Sequence, residues 1–151
     1  PKARALRFVP IDFEKDALAE ALAAAGHEAR VPSVFVWEGV TLYLTREASA
    51  ATLAAIAECA APASTLALTY FEPRGASLGA RFVRGLVSAV GEPQRTTYVP
   101  RDMQRMVEDA GFHVVGDERE SELAARYAAR TDGAQQGSGV PSHVLTAVRR
   151  A

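Results

Sequence analysis

Two short apolar runs with a helix-like segment between them constrain the fold of this chain most strongly. Ser33–Trp37 and Thr65–Phe71 are predicted to be buried strands, and Arg46 to about Ala60 has helical periodicity. Thr45 is placed to cap that helix. Its inward-facing residues are predicted to be Leu53, Ile56 and Ala60. Strands that alternate with helices through short connections indicate an α/β domain with a largely parallel sheet.

A similar strand and helix precede this unit. Leu6–Ile11 is predicted to be a strand, and the helix after it ends at a stop supplied by Gly26. The apolar residues at helical spacing in that helix are Leu18, Ala21, Leu22 and Ala25. Ser33–Trp37 is apolar on both of its alternating faces, which is typical of a parallel strand covered by helices on each side. We therefore expect helices on both faces of the sheet.

The second half of the chain is predicted to add two helices and two strands. The residues at helical spacing are Leu78, Phe82, Leu86 and Val90 in the first helix, and Met103, Met106, Val107 and Ala110 in the second. Pro100 begins the second helix and Gly111 ends it. Strands are predicted at Phe112–Val115 and His143–Val148, with a polar loop at Thr131–Ser138 between them. Because that connection needs no full crossover helix, we expect one antiparallel strand at the edge of the sheet.

Composition narrows the class of protein. The 151 residues, 48% hydrophobic and 23% charged, fit one globular domain, and nothing in them specifies an oligomeric state. The net charge of -1 provides no cationic surface, so neither a nucleic acid nor a membrane is expected as a partner. No apolar run approaches the roughly 20 residues that span a bilayer. The single Cys59 cannot form an internal disulfide, which favours a reducing, cytoplasmic setting.

Three segments follow directly on predicted strands, where the ligands of α/β sheets bind. They are Asp12-Phe13, Glu38 to Tyr43 and Tyr70 to Glu72. The Asp12 carboxylate is suited either to accept hydrogen bonds from a ligand or to cap a helix that begins near Glu14. Glu38 ends a buried strand beside Gly39, which permits a tight turn, and its charge needs a partner. That partner is either a ligand or a neighbouring backbone amide.

A longer motif surrounds Glu38. Trp37 to Thr45 reads WEGVTLYLT, which resembles the signature after the fourth strand in the leucine carboxyl methyltransferase family of S-adenosylmethionine-dependent O-methyltransferases, many of them bacterial. Phe8–Phe13 resembles the family's third strand with its Asp-hydrophobic pair, and Thr69–Pro73 resembles the end of its fifth. Later segments that also fit are Gly111-Phe112, and Arg126-Tyr127 before Arg130-x-Asp132-Gly133. The resemblance covers nearly the whole chain and implies a Rossmann-like class I methyltransferase sheet, mostly parallel with an antiparallel edge strand, that lacks its first strands.

The resemblance also implies a cofactor and a set of site residues. S-adenosyl-L-methionine would lie beside Asp12 and the backbone of Phe13 at its adenine, and beside Glu38 near its methionine portion. Four residues are implied on the acceptor side: Thr41, Tyr43, Tyr70 and Glu72. For these four, ordinary packing or a surface position is an equal alternative. The implied reaction is methyl transfer to a carboxylate or hydroxyl of a small-molecule or carboxylate-bearing acceptor.

Two parts of the family pattern are missing from the sequence. They are a Gly-rich loop after the first strand and an acidic residue after the second, which together hold the methionine and ribose of the cofactor. The one G-x-G, Gly137-Ser138-Gly139, lies in a late polar loop with no strand immediately before it. Pro1 to Arg7 leads into the first apolar run without an initiating Met, so we expect the C-terminal portion of a longer domain. The alternative is a non-catalytic α/β module that has lost the cofactor loop and acts through protein contacts.

Conventional catalytic bases are few, and the catalytic residues are left unassigned. His27 follows a helix stop, and His113 and His143 lie at strand starts, so all three are expected away from the carboxyl ends of the strands. This favours an acceptor that needs no base. Three His and one Cys, widely spaced, make no metal site.

A serine hydrolase is a third hypothesis. Gly75 to Gly79 matches G-x-S-x-G, with Ser77 as the nucleophile. The candidate triad partners downstream are Asp102, Asp117 and His143. Glu72-Pro73-Arg74 separates the pattern from the strand, whereas a nucleophile elbow turns directly off a strand end. Ser77 is therefore predicted to be a loop or helix-cap residue.

Overall fold

The structure, a computed structural model, describes residues 5–13, 15–73, 96–128 and 141–151. The helices in these ranges are α1 (Leu18–Ala24), α2 (Arg46–Cys59), α3 (Pro100–Asp109) and α4 (Glu120–Ala128), with a 3-10 turn at Thr41–Tyr43. The strands are β1 (Val34–Trp37), β2 (Thr65–Phe71), β3 (Phe112–Arg119) and β4 (Ser142–Arg149). No helix in these ranges has both the length and the apolar character needed to cross a membrane.

The four described strands form one mixed sheet in the order β1-β2-β4-β3. β1 and β2 are parallel, whereas β4 runs antiparallel to both of its neighbours. β3 therefore points in the same direction as β1 and β2. The predicted antiparallel strand is present, but it lies inside the described sheet rather than at its edge. As a result, the start of β4 lies beside the carboxyl ends of β2 and β3.

One face of the sheet carries the core. Leu66, Leu68 and Tyr70 alternate along β2 and are fully buried, as the sequence predicted. Leu145 and Ala147 of β4 pair with Leu68 and Leu66 and are buried beside them. Residues of α2 and α3 cover this face: Leu53, Ile56, Ala57, Met103 and Val107. α1 in turn packs against α2, so these three helices lie on the same side of the sheet.

The opposite face of β1 is open in the described part of the chain. Phe35 and Trp37 pair with β2 residues of the buried face, whereas Val34 and Val36 point the other way. Val34 is 72% exposed and Val36 is 68% exposed. The prediction of helices on both sides of β1 is therefore wrong for the described residues, because α1, α2 and α3 all cover the same face.

The predicted strand at Leu6–Ile11 is absent, and its residues have no regular secondary structure. Leu6 is 76% exposed and Phe8 is 88% exposed. A strand is stable when its backbone groups pair with a neighbour, and the described residues place no strand beside this segment. Instead, Arg7 Nη1 donates to the carbonyl of Ala25 at 2.8 Å, which attaches the segment to the end of α1.

Helix boundaries follow the signals in the sequence. Thr45 Oγ1 accepts a hydrogen bond from the Ala48 amide at 3.1 Å, which caps α2. Gly26 and Gly111, just after α1 and α3, have positive φ angles of 87° and 89°. Pro100 is the first residue of α3. The sequence did not predict α4, which lies in the connection between β3 and β4 where no full helix was expected.

β3 is longer than predicted. The sequence predicted Phe112–Val115, whereas β3 crosses a β-bulge and continues to Arg119. Beyond the bulge, Asp117 pairs with Leu145 of β4. Since paired residues of antiparallel strands share a face, Asp117 points toward the buried side of the sheet.

Several predictions fall on residues outside the described ranges. They are the helix marked by Leu78, Phe82, Leu86 and Val90, the loop at Thr131–Ser138, the Gly137-Ser138-Gly139 motif, the Arg130-x-Asp132-Gly133 segment and Ser77. These remain predictions from the sequence.

Candidate functional site

The carboxyl end of β1 presents a carboxylate to solvent. Trp37, the last residue of β1, is buried, and Glu38 directly after it is exposed. Gly39 has a φ of 72°, a left-handed conformation that turns the chain, and a Cβ there would meet nothing within 4 Å. The Glu38 side chain makes no hydrogen bond or ion pair with any residue in the described ranges. The structure therefore places an exposed charge next to open space at the end of the strand.

The loop after Glu38 is fastened to β2 through Thr69. The Gly39 amide donates to Thr69 Oγ1 at 2.8 Å, and Thr41 Oγ1 donates to the Thr69 carbonyl at 2.8 Å. Thr41 is buried and its hydroxyl proton is used in this bond, whereas Tyr43 is 42% exposed. These bonds fix Glu38 relative to the carboxyl end of β2.

Asp12 and Phe13 lie before α1 in the chain. Asp12 Oδ2 is 2.6 Å from Lys15 Nζ, and the Asp12 side chain is partly exposed. α1 begins at Leu18 rather than near Glu14, and its N-cap residue is Ala17, so Asp12 does not cap α1. Phe13 packs against the core, which anchors the turn that carries Asp12.

A second group of polar side chains lies at the carboxyl ends of β2 and β3. The Asp117 side chain is 6% exposed and accepts hydrogen bonds from Tyr70 Oη at 2.8 and 2.9 Å and from Gln104 Nε2 at 2.7 Å. His143 Nδ1 lies 2.9 Å from Asp117 Oδ1. Burial raises the pKa of Tyr70, and the hydrogen bond to Asp117 raises it further, so the phenol stays protonated and donates. Asp117 is thus a buried carboxylate with three hydrogen-bonding neighbours.

The other ring nitrogen of His143 faces Glu72. His143 Nε2 is buried, has no hydrogen-bond partner in the described part of the chain, and lies 3.5 Å from Glu72 Oε1. The imidazole stacks on the Tyr70 ring with a centroid distance of 5.0 Å. Arg119 Nη2 lies 3.3 Å from the second Glu72 oxygen, Oε2. The Glu72 side chain is 19% exposed, so it links the buried histidine to the surface.

The prediction that His143 lies away from the carboxyl ends of the strands is wrong. β4 runs antiparallel, so its first residues lie at the carboxyl ends of β2 and β3. Assigning the expected antiparallel direction to His143–Val148 would have placed His143 in this site. The other two histidines do lie elsewhere: His27 Nε2 is 2.8 Å from the Cys59 carbonyl, and His113 is exposed near the start of β3.

The residues suggested for a hydrolase triad do not all come together. Asp117 and His143 are in contact, whereas Asp102 is exposed in the first turn of α3. Ser77 lies outside the described ranges. Cys59 is the buried last residue of α2, and burial raises the pKa of its thiol. In the part of the chain that the structure describes, no group of His, Cys, Asp and Glu side chains could hold a metal ion.

Comparison with solved structures identifies the class of fold. An S-adenosylmethionine-dependent methyltransferase from Methanosarcina mazei superimposes with a TM-score of 0.55 at 11% identity, over 82% of this chain and 61% of that one. The chain therefore has a Rossmann-like, class I methyltransferase fold, and the predicted fold class is confirmed.

Sequence comparisons then show which proteins the chain is similar to. The model of the family named Leucine carboxyl methyltransferase matches residues 1–57, which include the WEGVTLYLT run, so the resemblance to this family is confirmed. A protein of Streptomyces coelicolor, provisionally named an S-adenosyl-L-methionine-dependent methyltransferase, is 30% identical over 94% of this chain and 48% of its own length. A similarly named protein of Mycolicibacterium gilvum is 34% identical over 80% of this chain and 41% of its own. The chain spans about half the length of the curated relatives it matches.

Proposed function

We propose that the chain acts in methyl transfer from S-adenosyl-L-methionine to a carboxylate or hydroxyl oxygen of a small-molecule or carboxylate-bearing acceptor. The observation that carries this proposal is Glu38, an exposed carboxylate without a partner in the described ranges, at the carboxyl end of β1. Ligands of open α/β sheets bind beyond the carboxyl ends of the strands. The relatives support a methyltransferase and give no support to a non-catalytic module.

The cofactor-binding role is proposed for Glu38, Asp12 and the backbone of Phe13. When bound, the cofactor supplies an electrophilic methyl group on its sulfonium. Glu38 would pair with the cationic methionine portion, because an ammonium donates strong hydrogen bonds to a carboxylate. The open space beside Gly39 fits a ligand that approaches the backbone closely, and the two bonds to Thr69 hold this loop in place.

The acceptor-side role is proposed for one exposed, one partly exposed and two buried residues. Tyr43 is 42% exposed and the Glu72 side chain is 19% exposed, so both are able to touch an acceptor. Thr41 and Tyr70 are buried and hydrogen-bonded, and we assign them positioning roles. Methyl transfer is an in-line displacement, so holding the acceptor oxygen opposite the sulfur supplies most of the rate enhancement.

Calorimetric titration with S-adenosylhomocysteine tests the cofactor site. We expect Glu38→Ala to weaken binding by about tenfold or more, because a hydrogen bond to a charged group is lost. Glu58→Ala is the matched control, since Glu58 is also an exposed carboxylate but lies near the end of α2, away from the carboxyl end of β1. The titration is done with the 151-residue chain and with any longer form that the gene encodes upstream of Pro1.

Equal affinity of the Glu38→Ala variant and the unmodified protein would remove Glu38 from the proposed site. Absence of binding by every form of the protein would contradict the methyltransferase proposal itself and favour the non-catalytic module.

A further inference from the structure

When the His143 imidazole is neutral, no proton lies between its Nε2 atom and the Glu72 carboxylate. Asp117 is acceptor-only as a carboxylate, so the 2.9 Å contact requires a proton on His143 Nδ1. In the neutral imidazole, Nε2 then carries a lone pair, and it faces Glu72 Oε1 at 3.5 Å. Two acceptors face each other at a buried position. The arrangement becomes favourable when a proton lies between them.

Carboxylates face both ring nitrogens of His143. In the described ranges, the charged or titratable groups around the imidazole or beside it are Tyr70, Glu72, Asp117, Arg119 and Glu120. Asp117 and Glu72 contact the two ring nitrogens, and Tyr70 is neutral. Arg119 pairs with the far oxygen of Glu72, and Glu120 is hydrogen-bonded to Ser142. A cationic imidazole would thus lie between two carboxylates.

The proton-deficient pair lies next to the proposed cofactor loop. Thr69 of β2 binds the loop that carries Glu38, and Glu72 follows three residues later at the same end of the same strand. Both sites are therefore at the carboxyl edge of the sheet, on adjacent strands. Glu72 provides the exposed end of the pair and His143 its buried end.

We propose that Glu72 and His143, oriented by Asp117, take the proton from a hydroxyl acceptor. This inference rests on the proposed methyl transfer and selects a hydroxyl over a carboxylate, which would need no base. The acceptor O–H bond breaks as its proton passes to Glu72 and on to His143 Nε2. The O–CH3 bond forms while the S–CH3 bond breaks, and the sulfonium becomes a neutral thioether. Glu72 is the catalytic residue in contact with the acceptor, and His143 and Asp117 are positioning residues behind it.

Nitrogen-15 NMR of the three histidines tests the pair without any acceptor. We expect His143 to carry its proton on Nδ1 at high pH, because Nδ1 faces the Asp117 carboxylate. His143→Gln assigns the signal. A proton on Nε2 at high pH would overturn the proposal.

Methyl transfer from isotope-labelled S-adenosylmethionine provides the second readout, with a series of phenols and the matching benzoates as probes. For the phenols we expect a rate that rises with pH and a loss of about 100-fold in Glu72→Gln and His143→Gln, far more than for the benzoates. His113→Gln is the control, because His113 is exposed near the start of β3. Circular dichroism establishes whether each variant folds. If His143→Gln does not fold, Glu72→Gln still tests the proposal.

Three results would overturn the inference. The first is transfer to benzoates alone, and the second is phenol transfer that is equal in the His143→Gln variant. The third is labelling of Ser77 by a fluorophosphonate, if this labelling depends on His143. That result would assign Glu72 and His143 to hydrolysis. S-adenosylhomocysteine calorimetry separates these results from failure of the proposed function, because only the latter removes cofactor binding.

Discussion

Gly39 and Gly111 share a backbone conformation but have different surroundings. Their φ angles are 72° and 89°, in the left-handed region that side chains with a Cβ rarely adopt. A Cβ on Gly39 would meet open space, whereas one on Gly111 would meet the Arg149 guanidinium, which donates to the Gly111 carbonyl at 2.6 Å. We expect Gly39→Ala to cost about 1 kcal/mol of unfolding free energy, and Gly111→Ala about 3 kcal/mol, in urea denaturation.

A double-mutant cycle isolates the contact at Gly111. Arg149→Ala removes the guanidinium that a Cβ at position 111 would meet. Gly111→Ala combined with Arg149→Ala should therefore cost less unfolding free energy than the sum of the two single changes. Strict additivity would show that backbone strain alone accounts for the cost at Gly111.

At the residue scale, the sequence predicted the position of some candidate site residues and misplaced others. Glu38 could be placed because a charge after a buried run and before a glycine has few other positions in an α/β sheet. His143 could not, because its position depends on the direction of β4, which is a long-range property of the sheet. The hydrogen bonds of Thr41 and Tyr70 could not be predicted from the sequence either, since their partners lie 28 and 47 residues away along the chain.

At the scale of single elements, α2 offers the clearest test of a local signal. Thr45, the last residue of the WEGVTLYLT run, caps this helix through the Ala48 amide. We expect Thr45→Ala to lower the unfolding free energy by about 1 kcal/mol. Thr45→Ser should retain most of this contribution, because its hydroxyl can still accept the hydrogen bond. Thermal or urea unfolding of the two variants makes the comparison. If both variants were equally destabilised, the threonine methyl group rather than the cap would be the source of the effect.

Elements stabilised by their own sequence were predicted well, and elements that depend on distant partners were not. β2 coincides with the predicted Thr65–Phe71, and α2 begins where its cap predicts. The segment Leu6–Ile11 has the composition of a strand, but the described residues give it no neighbour with which to pair. β3 extends past a bulge because β4 pairs with it, and no local pattern specifies that partner.

At the scale of the whole molecule, α1, α2 and α3 cover one face of the sheet and leave the other face of β1 exposed. Leu68 of β2 is fully buried beneath α2 and α3, whereas Val36 of β1 is 68% exposed on the other face. Hydropathy marks both residues as core, because it reports what a side chain favours and not which face is covered. The distinction depends on the side of the sheet to which the crossover helices return.

Because the helices cover only one face, we expect substitutions on the two faces of the sheet to differ in their effect on the unfolding free energy of the 151-residue chain. Leu68→Ala leaves a cavity at a fully buried position, and we expect it to cost about 3 kcal/mol of unfolding free energy. Val36→Thr keeps the β-branched shape at an exposed position, so it should cost less than about 0.5 kcal/mol. Urea denaturation measures both. A Val36→Thr cost that approaches that of Leu68→Ala would mean that this face of β1 is covered in solution.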